Sequence, residues 1–96
     1  MKVYHLSHKK NRESIQKAGL IALSKPCGRI THGPRVFVSI SMKTLAFDYV
    51  GYEDVDVWSF NVDEKELSSD EFSSQEGHFF IQNHVKKHLI KLEKTF

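Results

Sequence analysis

A single cysteine, Cys27, stands in the whole chain, so no intrachain disulfide can form and no Cys-x-x-Cys metal pair exists. It sits in Lys-Pro-Cys-Gly, a turn-like setting for an ordinary loop thiol. No apolar run approaches the ~20 residues that a membrane-spanning helix needs. The N-terminus lacks the charged, apolar and small-residue succession of a secretory signal. An excess of one charge is missing too: fourteen basic against twelve acidic residues leave a net charge of +2. That is too little for a global pull toward nucleic acid. These absences read as a cytoplasmic chain with no membrane partner.

What is present is enough for one core. Of 96 residues, 40 % are hydrophobic and 11 % aromatic, which argues against a disordered chain. A chain of this size buries roughly 60–65 % of its unfolded surface, a thin but workable margin. No repeat and no composition shift divides it, so residues 1–96 are expected to form a single domain.

Residues 2–7, Lys-Val-Tyr-His-Leu-Ser, alternate as a strand, with Val3, His5 and Ser7 on one face and Tyr4 and Leu6 on the other. Asn11 offers an N-cap for a helix over 12–18, and Gly19 supplies the positive-φ stop. Residues 21–34 hold both prolines and read as a loop, at the long end of ordinary connections. That loop and its exit carry Arg29, His32 and Arg35, all able to meet an anion. Residues 35–40 predict a strand with Val36, Val38 and Ile40 on one face and Phe37 and Ser39 on the other. Ser41 caps a predicted helix over 42–50. Residues 55–62 alternate most strongly, with Trp58, Phe60 and Val62 on one side. Residues 63–77 are acidic and serine-rich and suit an exposed loop. A strand over 78–82 and a helix starting near His84–Lys86, with a Val85, Leu89 and Leu92 stripe, complete the pattern. The expected core is Val3, Ile15, Leu20, Val36, Val38, Leu45, Trp58, Phe60, Phe79, Ile81, Leu89 and Leu92.

His84 and His88 have the i, i+4 spacing of one helical face. Val85 stands where a metalloprotease motif requires glutamate, so no metal is assigned. Lys86, Lys87, His88, Lys91 and Lys94 make the last segment locally basic, which suits either a solvated face or a phosphate contact.

The succession of these pieces resembles the ADP-ribosyltransferase-like fold, which includes diphtheria-toxin-type and poly(ADP-ribose) polymerase catalytic domains, DNA-modifying transferases and tRNA 2′-phosphotransferases. The resemblance lies in Tyr4-His5-Leu6-Ser7, in the helix ending Ala18-Gly19-Leu20, and in Arg35-Val36-Phe37-Val38-Ser39. It continues through Ala46 and Tyr49, Val57-Trp58-Ser59-Phe60-Asn61-Val62, and Phe79-Phe80-Ile81 followed by Val85 and Leu89. It implies an α+β fold, a small split antiparallel β-sheet core with three or four short helices.

The resemblance also implies a site for NAD as substrate. His5 would hold the nicotinamide ribose, backbone near Leu6 the carboxamide, and Phe37 would stack on the nicotinamide, with Ser7 and Ser39 as further candidate NAD contacts. Tyr49 could form the other side of that sandwich, and Arg29 or Arg35 would meet the pyrophosphate. Transfer passes through an oxocarbenium-like ribose, so the resemblance calls for a carboxylate there. Glu76 is the candidate catalytic residue with His5, and His78 is the alternative at that position. The acceptor would be a protein or a nucleic acid. Two alternatives stay open: a non-catalytic nucleotide- or protein-binding module on the same scaffold, and RNA 2′-phosphotransferase-like chemistry using His5, Arg29 or Arg35 and His78.

Overall fold

A computed structural model describes residues 1–22, 26–27, 30–31, 35–42, 53–69 and 77–96. The predicted helix over 42–50 and residues Arg29, His32, Leu45, Tyr49 and Glu76 lie outside the described residues.

Eight strands and one α-helix are described. They run β1 (Lys2–His8), α1 (Arg12–Ala18), β2 (Pro26–Cys27), β3 (Ile30–Thr31), β4 (Val36–Ser39), β5 (Val55–Asn61), β6 (Ser68–Ser69), β7 (His78–Ile81) and β8 (Lys91–Thr95). Six of the strands form one sheet in the order β6-β7-β4-β1-β5-β8, and β2 pairs with β3 in a separate ribbon. Every pairing in both sheets is antiparallel. The chain is therefore a small α+β domain with its first strand near the middle of the sheet.

Register follows from the hydrophobic pattern. Val3 opposes Phe60, His5 opposes Trp58 and Ser7 opposes Asp56, so these six side chains share one face. Val36 and Val38 join that face, paired with Ile81 and Phe79. This is the core face. Val3, Val36, Val38, Trp58, Phe60, Val62 and Ile81 are all buried there, with Leu20 and Val85 beside them and Ile15 of α1 closing over them. A one-residue slip of β1 would send Val3 to the other face, so burial and register enforce each other. The strong alternation predicted for 55–62 is seen as β5, with Trp58 only 2 % exposed.

Helix α1 occupies the predicted residues, but Asn11 does not cap it. Its side chain makes no capping bond, because Lys9–Asn11 already turn as a 3₁₀ segment and Asn11 is itself helical (φ −92°, ψ −2°). Gly19 ends the helix at φ +78°. A Cβ at this position would lie 2.1 Å from the Val85 carbonyl oxygen and 2.8 Å from the Lys87 nitrogen. Glycine is required here twice over, for its backbone angle and for the passage of the second chain.

That second chain overturns the predicted C-terminal helix. Val85 N–H donates to Leu20 O at 2.8 Å, and Leu20 N–H donates to Val85 O at 2.9 Å. Both backbone groups that a helix would use are thus engaged across the molecule. Lys86 and Ile90 are extended, a single 3₁₀ turn spans Lys87–Leu89, and the chain leaves as β8. Leu89, placed in the core by helical spacing, is 55 % exposed. The His84–His88 helical face disappears with the helix. Ile40, expected beside Val36 and Val38, lies just past β4 and is exposed. The described residues therefore hold one α-helix and three 3₁₀ turns rather than three or four helices. No helix among them is long and apolar enough to cross a membrane.

Candidate functional site

Strand β1 is flanked by two very different neighbours. Toward β5, all of Lys2–His8 find partners from Asn61 back to Val55. Toward β4 there is one registered pair, Tyr4 with Ser39. Beyond it the chains run on as His5-Leu6-Ser7 and Val38-Phe37-Val36 without further registered pairing. His5 reaches across this seam. Its Nδ1 lies 2.6 Å from the Phe37 carbonyl oxygen. A carbonyl can only accept, so Nδ1 carries the proton and donates. The imidazole is thereby oriented by main chain of a different strand, a more exact support than a mobile side chain would give.

The remaining sequence-predicted residues divide by face. Ser7 shares the core face with His5, but it is buried and its Oγ accepts the Trp58 indole N–H at 2.8 Å. The indole stands opposite His5 in the ladder and extends diagonally to Ser7, so it lies along His5's own strand face. Ser7 is thus committed to fixing the tryptophan. Leu6, Arg35, Phe37, Ser39 and His78 belong to the opposite face by strand alternation. There Ser39 pairs with His78 and Phe37 with Phe80. The Phe37 and Phe80 rings meet edge to face, with centroids 6.3 Å apart and planes at 62°. The Arg35 guanidinium carbon sits 3.8 Å above the Phe80 centroid, a cation–π stack. Ser39 and His78 are buried, whereas His5, Leu6, Arg35 and Phe37 are half-buried. The partly accessible candidates are therefore those along the β1–β4 seam.

A molecule bound on the face opposite the core would find an aromatic ring braced by a second ring and a guanidinium, while the His5 imidazole stands on the core face and reaches this region through its hydrogen bond to the Phe37 carbonyl. The Gly77 carbonyl accepts the Ile40 N–H at 3.1 Å, just past the end of β4.

Compared with family models, curated proteins and solved structures, the chain finds no match.

Two polar networks escaped the sequence reading. Asp56, fully buried, receives Arg12 Nε on Oδ2 at 2.9 Å and Arg12 Nη2 on Oδ1 at 2.6 Å. Thr95 Oγ1 donates to the same Oδ1 at 2.8 Å. The Arg12 guanidinium and then the Thr95 hydroxyl outweigh desolvation and hold the Asp56 carboxyl below its ordinary range. This fork ties the start of α1 to β5 and β8. Its signal was Asp56 itself, an acid on the Trp58 and Phe60 face of a strongly apolar strand, which requires a buried partner. The second network joins Glu93 to Ser59 at 2.6 Å and to Lys2 at 2.9 Å. The Ser59 hydroxyl, followed by Lys2, draws the Glu93 carboxyl down. Nothing in the spacing of the chain pointed to this contact, because it depended on β8 being a strand. Among the described residues, no three His, Cys, Asp or Glu side chains gather as a metal site.

Proposed function

We propose that this chain is a small ADP-ribosyltransferase-like domain that binds NAD at the β1–β4 seam and transfers ADP-ribose to a protein or nucleic-acid acceptor. The observation that carries this reading is His5, held by the Phe37 carbonyl across the β1–β4 seam. In this reading the half-buried Phe37 ring, braced by Phe80, is the stacking surface, and the His5 imidazole on the other face positions it through the Phe37 carbonyl. Arg35 meets the pyrophosphate, a match of paired N–H donors to phosphate oxygens. Arg29 and Tyr49 are the further candidates from the sequence, as phosphate contact and second aromatic wall. Glu76 supplies the carboxylate that stabilises positive charge on the ribose as the nicotinamide bond breaks. Ser7 and Ser39 act behind these residues, not on NAD directly, since both are buried.

A second reading has an observation of its own. His78 is buried beside Ser39, on the face that also carries Arg35. A histidine and an arginine together suit RNA 2′-phosphotransferase-like chemistry, in which cationic donors grip a phosphate.

Nicotinamide release from NAD separates the readings. The transfer reading expects release by the wild type that is lost in both His5→Ala and Glu76→Gln. Release that survives Glu76→Gln but is lost in His78→Ala would move the catalytic position to 78. No release, with an NAD-dependent rise in melting temperature retained, would leave a nucleotide-binding module on this scaffold. Neither release nor an NAD-dependent rise would end the NAD reading.

A further inference from the structure

The described charges are sorted by location. Among the described residues, the 3₁₀ turn Glu64–Glu66 is acidic at its ends, while Lys9–Asn11 and Lys87–Leu89 are basic. Both basic turns adjoin α1. Lys9–Asn11 runs directly into α1, and Gly19 at the far end packs against the main chain of Lys86 and Lys87. Lys17, in the last turn of α1, falls between them. Lys9, Lys10, Lys17, Lys86 and Lys87 are all exposed, as are His8, His84 and His88. The acids on this rim are Glu13, paired with Lys17 at 3.2 Å, and the chain neighbours Glu53 and Asp54. Five lysines against three carboxylates leave the rim positive in a chain whose overall charge is nearly balanced.

The shape of the rim adds a second observation. His8, Lys9, Lys10 and Asp54 line an open depression of about 470 Å³. Its wall is fixed, because the Lys9 N–H donates to the Asp54 carbonyl at 2.8 Å. Asp54 holds a left-handed backbone angle (φ 54°), which aspartate adopts more readily than most non-glycine residues. The seven residues of α1 set the basic turns roughly 10 Å apart along the helix at 1.5 Å per residue. That separation is on the scale of neighbouring phosphates in one nucleic-acid strand.

We infer that the basic rim along α1, from Lys9 and Lys10 to Lys86 and Lys87, binds the phosphate backbone of a nucleic acid. Spaced point charges along an exposed, open rim suit a repeating polyanion better than they suit a small ligand, which would need an enclosing pocket. Combined with the transfer reading above, the rim names nucleic acid as the acceptor, and that step alone rests on the earlier proposal.

The test is anisotropy of a fluorescein-labelled single-stranded oligonucleotide, without NAD, across a salt series. Wild type is expected to bind with an affinity that falls as salt rises. Lys9→Ala/Lys10→Ala and Lys86→Ala/Lys87→Ala should each weaken binding and lower the slope of log K against log salt by about 1.4, at about 0.7 per phosphate contact. Lys65→Ala, on the acidic turn, should change neither. The inference is overturned by absence of binding at low salt, or by equal losses in all three variants. It is also overturned if an acidic peptide of equal charge competes as well as the unlabelled oligonucleotide, which would assign the rim to an acidic protein. Circular dichroism melts check that each variant remains folded, as fully exposed lysines should permit. Oligonucleotide binding without nicotinamide release would sink the transfer reading and leave the rim standing; release without binding would do the reverse.

Discussion

The two sides of β1 differ more than any other pair of regions in the molecule. On one side it is zipped to β5 along all of Lys2–His8; on the other it meets β4 at Tyr4 and Ser39. The β5 side is buried on both faces, with Val55 and Val57 at 0 % exposure and Trp58 and Phe60 at 2 % and 3 %. The β4 side keeps half-buried His5, Leu6 and Phe37. One strand thus serves as scaffold along one edge and as a candidate site along the other. Packing density that the core demands would leave no room for a ligand, so the two duties are separated across the strand. A histidine at the seam inherits its placement from the zipped edge, where the Trp58 indole lies along its face and is fixed by Ser7.

Breaking the zipped side should produce the largest effect. Trp58→Ala removes the largest ring of the core and its hydrogen bond to Ser7. It is expected to cost about 3–5 kcal/mol, enough to unfold a domain of ordinary marginal stability. Urea denaturation followed by far-UV circular dichroism measures this. A loss below about 1 kcal/mol would mean that the β5 side is not the scaffold described.

The Arg12–Asp56–Thr95 fork comes next, because it fastens α1 and β8 to the same β5 edge. Asp56→Asn should cost about 1.5–3 kcal/mol near neutral pH, the range for hydrogen bonds to a charged group. The pH dependence has a definite sign. The folded carboxyl titrates below its ordinary value, held there first by Arg12 and then by Thr95. Its stabilisation is therefore complete above the unfolded carboxylate range near ~3.9 and is lost as pH falls through the lower folded value. The gap between wild type and Asp56→Asn should close with acidification, while Glu93, lowered by Ser59 and Lys2, keeps a slope of the same sign in both proteins. Urea midpoints measured at several pH values check this. Parallel curves would show that Asp56 is not ionised in the fold.

Legibility in the sequence tracks the same division. On the zipped side, alternation with period 2 located β1 and β5, the faces of Val3 and Trp58, and the core role of Phe60. Ile15 and Gly19 were legible because helix and stop are local signals. At the chain's end the signal misled. Val85, Leu89 and Leu92 carry helical spacing, yet Val85 is claimed by Leu20 from sixty-odd residues away, and a non-local bridge leaves no mark on local periodicity. The same error hid Glu93 and Thr95, whose contacts exist only because β8 is a strand. At the site, alternation already set His5 on the face of Val3 and Phe37 opposite Val36 and Val38, but the contact of the His5 ring with the Phe37 carbonyl was not readable. That contact depends on how β4 registers against β1, which a strand's own pattern does not specify.

The smallest effect on stability, and the sharpest test of the comparison, should come from the seam. His5→Ala removes one hydrogen bond to a carbonyl on a half-buried edge. It leaves the β5 ladder intact, because that ladder uses the backbone of His5 and not its ring. A cost of no more than about 1 kcal/mol is expected, a single neutral hydrogen bond with water able to replace part of it. The NAD-dependent rise in melting temperature should vanish in the same variant, since the hydrogen bond that positions the proposed Phe37 stacking surface is gone. Stability retained with NAD binding lost would assign the histidine to the site. A loss approaching that of Trp58→Ala would instead make His5 one more part of the scaffold, and the open side of β1 a structural seam without a ligand.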